Sequence, residues 1–228
     1  MLSSDYHLCL QGGREEQLDR FQVAETGRCT LFLMADGFSK CDARPHFVDW
    51  LTERTASLRG SGQDAEAVCM TLNALLNAHD SSPGKASVAF VISDENEHRF
   101  ATLGDTRIYW LARRDRTRDH SLAERCVARG HCPPEALRHH PLRNRLTAWA
   151  GAGTGTVHTL AWCSAPFLEN ERLLVCTDGF WSQLGEDDIY AIDTPAALHE
   201  QCSDLLGAGE RELPDNLTVA LLKYTGRR

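Results

Sequence analysis

The chain has 228 residues, 42% of them apolar, with a net charge of −8 and a pI near 5.7. That length fits one domain able to bury a sizeable core, and no apolar stretch of about 18 residues exists to cross a bilayer. The acidic balance excludes a nucleic-acid or anionic-membrane surface, because those partners need clustered Lys and Arg to displace counterions.

In chain order, the opening segment MLSSDYHLCLQGG carries an acid at Asp5 and lacks both the basic leader and the apolar run of a signal peptide, so a cytoplasmic location is expected. Nine cysteines without a close CxxC pair fit free thiols in a reducing compartment. Residues 30–35 form a short apolar run that ends at Asp36, the pattern of a strand meeting a turn. Residues 45–58 and 63–79 carry apolar residues at helical spacing, such as Val68, Leu72, Leu75 and Leu76, and predict two helices packed on one sheet face. Residues 86–93 and 99–111, separated by the polar DENEH, read as consecutive antiparallel strands. Residues 119–156 are rich in Arg and His, contain Pro133, Pro134 and Pro141, and end in a Gly-rich stretch; they read as a helical excursion over the sheet edge. A strand at 173–176 leads into Thr177 and Asp178, a helix spans 194–206, and a last strand at 217–224 closes the sheet. Strands, then helices, then strands again predict an α+β sandwich in a single domain over 1–228.

Four acids stand at strand ends or tight turns: Asp36 in LMADGF, Asp105 in LGDTR, Asp178 in VCTDGF and Asp215 in LPDNLTV. Each alone is an ordinary turn residue. Together, carried by a rigid sheet, they repel one another unless cations neutralise them. Oxygen donors without a matching His or Cys set favour Mg²⁺ or Mn²⁺ over zinc, and so chemistry on phosphate.

This combination resembles the metal-dependent type 2C (PPM) serine/threonine protein phosphatase family, and the compact length resembles its bacterial members. The likeness begins at GGREEQLDRF, with Arg14 and Asp19 at motif positions, and runs through LFLMADGF, GKASVAFVI with ATLGDTRIYWL, DHSLAERCVARG with HHPLRNRLTAWAG, VCTDGFWSQL and LPDNLTVALL. It implies an antiparallel β-sandwich with helices on both faces and a flap over about 119–156. It also implies that Asp36 bridges two metals and that the Gly37 carbonyl binds one of them. Asp178 and Asp215 would be further ligands, Asp19 would serve the metal centre, and Asp105 would help hold a third, weaker ion. The reaction implied is hydrolysis of phosphoserine or phosphothreonine by a hydroxide shared between the metals, with Arg14 and Asp36 as the catalytic pair. The planar fork of Arg14 suits the non-bridging phosphate oxygens; its plain alternative is a surface ion pair with Glu15 or Glu16. The partner implied is a phosphorylated protein, either a target of a serine/threonine kinase or the kinase itself.

Two departures from the family pattern stand out. Gln17 and Leu18 replace an Asn and a Glu, and Phe38, Ser39 and Lys40 replace a small or His residue followed by two glycines. They motivate an alternative, a catalytically weak, metal-binding module that recognises phosphoprotein. Other motifs carry less. Cys176 lacks the Cys-x5-Arg loop of cysteine phosphatases and reads as core. His131, Cys132, His139 and His140 match no zinc spacing, and the GAGTG stretch lacks the Lys of a P-loop. Trp181 follows Asp178 closely enough to buttress the site.

Overall fold

The computed structural model describes residues 1–40, 45–78, 83–151, 159–207, 209 and 213–226. His79 and the Gly-rich residues 152–156 therefore lie outside the described residues.

Two antiparallel sheets face one another. The first has the order β1 (Leu2–Leu10), β11 (Leu217–Tyr224), β10 (Arg172–Cys176), β6 (Arg107–Trp110), β7 (Asp115–Arg116). The second runs β2 (Asp19–Glu25), β3 (Thr30–Gly37), β4 (Lys85–Ser93), β5 (Glu97–Leu103), β9 (Cys163–Pro166), and the two-residue β8 (Ala150–Gly151) pairs with the start of β4. Strand alternation sorts the apolar residues into layers. Phe32, Met34, Ala89 and Val91 meet Ile108, Trp110, Leu173, Val175, Ala220 and Leu222 between the sheets. Leu31, Leu33, Val88 and Phe90 point the other way, against helices α1 (His46–Ala56) and α2 (Ala65–Leu76). On the outer face of the first sheet, Tyr109, Leu174, Val219 and Leu221 pack with α4 (Asp178–Trp181), α5 (Glu186–Tyr190) and α6 (Pro195–Leu205). The result is the expected α+β sandwich with helices on both faces, and the two early helices do share one sheet.

The excursion opens with α3 (Leu122–Ala128), whose N-cap Ser121 accepts from the Glu124 amide. It continues through a 3-10 turn at Pro134–His139 and returns to the second sheet at β8. One expectation needs correction. The run 99–111 is two strands in different sheets, because Gly104 adopts φ +103° and the chain crosses from β5 to β6 there. β6 is buried throughout and β5 in part, so the apolar pattern runs on across the break. Among the described residues no helix is long and apolar enough to cross a membrane.

Candidate active site

The acids gather at one open end of the inter-sheet layer. Antiparallel register sets Asp19 opposite Asp36 on the β2–β3 pair. Asp36 continues the inter-sheet face of Phe32 and Met34, so its carboxyl points to the space between the sheets. The Gly37 amide donates to the Leu18 carbonyl at 3.2 Å, and a Cβ at Gly37 would sit 3.0 Å from Leu18 Cβ and O. At the β5–β6 crossing, Ser87 Oγ accepts from the amides of Asp105 (2.9 Å) and Thr106 (2.7 Å), and a Cβ on Gly104 would fall 2.3 Å from that oxygen. Trp181 Nε1 donates to the Asp105 carbonyl at 2.9 Å, which makes it the buttress expected from the sequence.

Asp178 opens α4, and Gly179 lets that turn lie directly on the Asp215–Asn216 segment: a Cβ there would be 1.8 Å from the Asn216 carbonyl. Asn216 ties three segments together. Its Oδ1 accepts from the Leu18 amide at 2.9 Å, and its Nδ2 donates to the carbonyls of Gln11 (2.6 Å) and Glu16 (3.0 Å). Leu18, where the family pattern has an acid, is buried and contributes its backbone to this junction.

Arg14 makes a two-pronged ion pair with Asp215, at 2.7 and 2.6 Å, rather than pairing with Glu15 or Glu16 as the plain reading had it. Arg143 Nη1 donates to Asp178 Oδ2 at 3.0 Å. Asp19 lies deeper, its carboxylate accepting from Thr177 Oγ1 at 2.9 Å. Burial, with Asp178 and Asp215 nearby, lifts Asp19 to a pKa of about 7 against the pull of the Thr218 and Thr177 hydroxyls. Burial likewise raises Asp36 well above the carboxylate range, helped by the charges of Asp19, Asp178, Asp105 and Asp215. Asp105 is raised well above it too, by burial and then by Asp178 and Asp119. Asp178 is raised by burial and Asp215, with Arg143 and a hydrogen bond shared with Asp36 opposing. Clustered carboxyls with unfavourable ionisation need compensating cations.

Among the described residues no three His, Cys, Asp or Glu side chains are grouped so as to hold a metal ion, and Arg14 and Arg143 hold Asp215 and Asp178 in ion pairs. The donor chemistry nonetheless fits a hard divalent ion. Asp36, Asp105, Asp178 and Asp215 all line one cleft of about 510 Å³, with Gly37 and Arg14 beside them. The cleft thus unites every candidate residue except Asp19, which stands behind it against Thr177.

Sequence reasoning marked Phe38 and Lys40 at the approach to the acids but missed the rest of the other wall. Lys40, Lys85, Arg145 and Trp149 line the same cleft, and Lys85 Nζ lies 4.8 Å from the centre of the Trp149 ring. Arg143, Arg145 and Trp149 lie in HHPLRNRLTAWAG, a motif that marked the segment without marking these side chains.

The fold, paired antiparallel sheets between helical layers, is the one seen in solved serine/threonine phosphatases of the PPM type. Serine/threonine phosphatase Stp1 from Staphylococcus aureus superposes with a TM-score of 0.80 at 19% identity, covering 99% of this chain and 96% of that one. The PPM Ser-Thr phosphatase MsPP from Mycobacterium smegmatis, solved with cacodylate, gives 0.67 at 22% identity over 99% and 98%. The catalytic domain of the phosphatase PstP, solved with two manganese ions, gives 0.67 at 16% identity over 97% of each chain. In sequence, the serine/threonine phosphatase stp of Listeria monocytogenes is 29% identical over 146 residues, 61% of this chain and 56% of that protein. The chain thus spans about half the length of the curated relatives it matches. No protein-family model matches it.

Proposed function

We propose that this protein is a divalent-metal-dependent phosphatase of phosphoserine and phosphothreonine in proteins. The observation that carries the reading is the cleft floor, where Asp36, Asp105, Asp178 and Asp215 converge beside Arg14. Asp36, the Gly37 carbonyl, Asp178 and Asp215 would hold two Mn²⁺ or Mg²⁺ ions, with Asp105 serving a third, weaker one. When bound, such ions supply Lewis acidity and an activated water for in-line displacement at phosphorus. The chain's own groups do the rest. Asp19, held by Thr177, keeps the β2–β3 end in register with Asp36. Asn216 fixes the Asp215 turn against Leu18, and Trp181 fixes the Asp105 turn. Released from Asp215, the Arg14 fork suits the non-bridging oxygens of a phosphoryl group. The substrate is a phosphoprotein, opposing a serine/threonine kinase.

Phosphate release from a phosphothreonine peptide tests this, with and without Mn²⁺, for wild type and for Asp36→Asn and Asp178→Asn proteins that still fold. The expected result is metal-dependent turnover that falls on the order of 10²-fold or more in either variant. A folded wild type that binds metal and phosphopeptide without turnover would instead support the recognition-module reading.

A further inference from the structure

Strand register places a basic and aromatic wall on the same face as the acids. Asp36 pairs with Ser87 and Gly37 with Ala86, and the ladder continues as the Phe38 amide donates to the Lys85 carbonyl at 3.0 Å. Across β4, Lys85 pairs with Gly151 and Ala86 with Ala150. Ala86 and Ala150 are fully buried on the helix side of the sheet. Alternation therefore puts Phe38, Lys85 and Trp149 on the face that carries Asp36 and Ser87. The contacts agree: Lys85 stands over the Trp149 ring, and the Phe38 and Trp149 rings are 6.4 Å apart. Lys40 and Arg145 line the same cleft, and among the described residues no carboxylate pairs with Lys40, Lys85 or Arg145. In a chain of net charge −8, an acidic floor thus meets a cationic wall.

From this we infer that the Lys85–Trp149 wall is a specificity subsite for an acidic side chain two residues from the phosphorylated one. The inference rests on the phosphatase reading of the cleft. Two residues along a strand cover about 7 Å, which is the offset from Asp36 to Phe38 and from Ser87 to Lys85. An extended peptide has the same repeat, so with its phosphoresidue over the acids, its side chain two places along faces Lys85. A carboxylate there meets Lys85, Lys40 and Arg145, while its stem lies against Phe38 and Trp149. A basic side chain would be repelled.

The test uses phosphothreonine peptides that differ only in having Glu, Gln or Lys two places to one side or the other of the phosphothreonine. Both kcat/KM with Mn²⁺ and affinity by fluorescence anisotropy are measured. At one of the two places Glu should exceed Gln about fivefold in kcat/KM, chiefly through KM, and Lys should be poorest. The Glu/Gln ratio should shrink at high salt, fall below about two in Lys85→Met and persist in Lys85→Arg. A ratio near one at both places, or one unaltered in Lys85→Met, would overturn the subsite even though phosphate is released. Absence of release from every peptide would overturn the phosphatase reading instead, and the anisotropy ratios would still decide the subsite.

Discussion

Arg107 and Asp119 offer the sharpest test of how the scaffold holds the site. Their two-pronged pair, at 2.7 Å on both prongs, is almost wholly buried. Arg107 also donates to Tyr109 Oη at 2.8 Å and lies 3.4 Å from the centre of the Trp181 ring, the ring that supports Asp105. Replacing Asp119 by Ala leaves the guanidinium in this interior with its nearest other carboxylate, Glu186, 4.0 Å away. Breaking one side of a buried pair costs about 3–5 kcal/mol, because the surviving charge is uncompensated. For a chain of this size that is a fall in Tm of roughly 10 °C. Urea unfolding of wild type, Asp119→Ala, Arg107→Met and the double variant Arg107→Met/Asp119→Leu would measure it. The double variant, which removes both charges of the pair and leaves Arg116 with Glu124 and Glu186, should recover most of the loss. If Asp119→Ala costs less than about 1 kcal/mol, the interior is wetter than the geometry indicates and the reasoning fails.

His98 and Gly179 supply two further tests. His98 is fully buried, its Nε2 accepts from Trp110 Nε1 at 2.8 Å, and burial, with Arg113 nearby, lowers its pKa from 6.5 to about 4. The unfolded chain therefore takes this proton first as pH falls, so the stability it confers is full above pH 6.5, drains between about 6.5 and 4, and totals about 3 kcal/mol. Urea midpoints at pH 7.5 and pH 5 should diverge less in His98→Gln than in wild type, and an equal divergence would count against the assignment; the clustered acids titrate in the opposite sense in both proteins. Gly179→Ala would force the Asp178 turn off the Asn216 carbonyl, so metal-dependent phosphate release should drop at least tenfold while far-UV circular dichroism persists, and retained activity would show that the two segments are not pressed together.

Legibility in the sequence followed burial. Strands β3, β4 and β11 are apolar on both faces, and α1, α2 and α6 keep helical spacing, so each stands out. β1 was invisible because it is an edge strand with mostly exposed side chains, LSSDYHLCL, held by its register with β11. β2 is mostly half-buried, so its residues stand out as a motif rather than as a strand. The acids were legible because each closes a strand or opens a turn, positions that local sequence marks. The cationic wall was not, because Lys85 and Trp149 meet only through the β4–β8 pairing, and nothing near either residue encodes that partner.

The same asymmetry explains how charge is arranged around the cleft. Carboxyls on five separate segments are brought together by β-sheet register and by the Asn216 junction, against the burial and mutual repulsion that raise the pKa values of Asp36, Asp105 and Asp178. Arg14 and Arg143 offset part of that repulsion at Asp215 and Asp178, whereas Asp36 shares a hydrogen bond with the carboxyl of Asp178 and, among the described residues, forms no ion pair. Asp36 is therefore a position where a divalent cation would offset unfavourable charge, and it stands at the end of β3, a strand paired on both sides. An acid buried among like charges on a rigid frame costs stability and suits the binding of a cation, so Asp36 joins Asp105, Asp178 and Asp215 in supporting the proposed metal site.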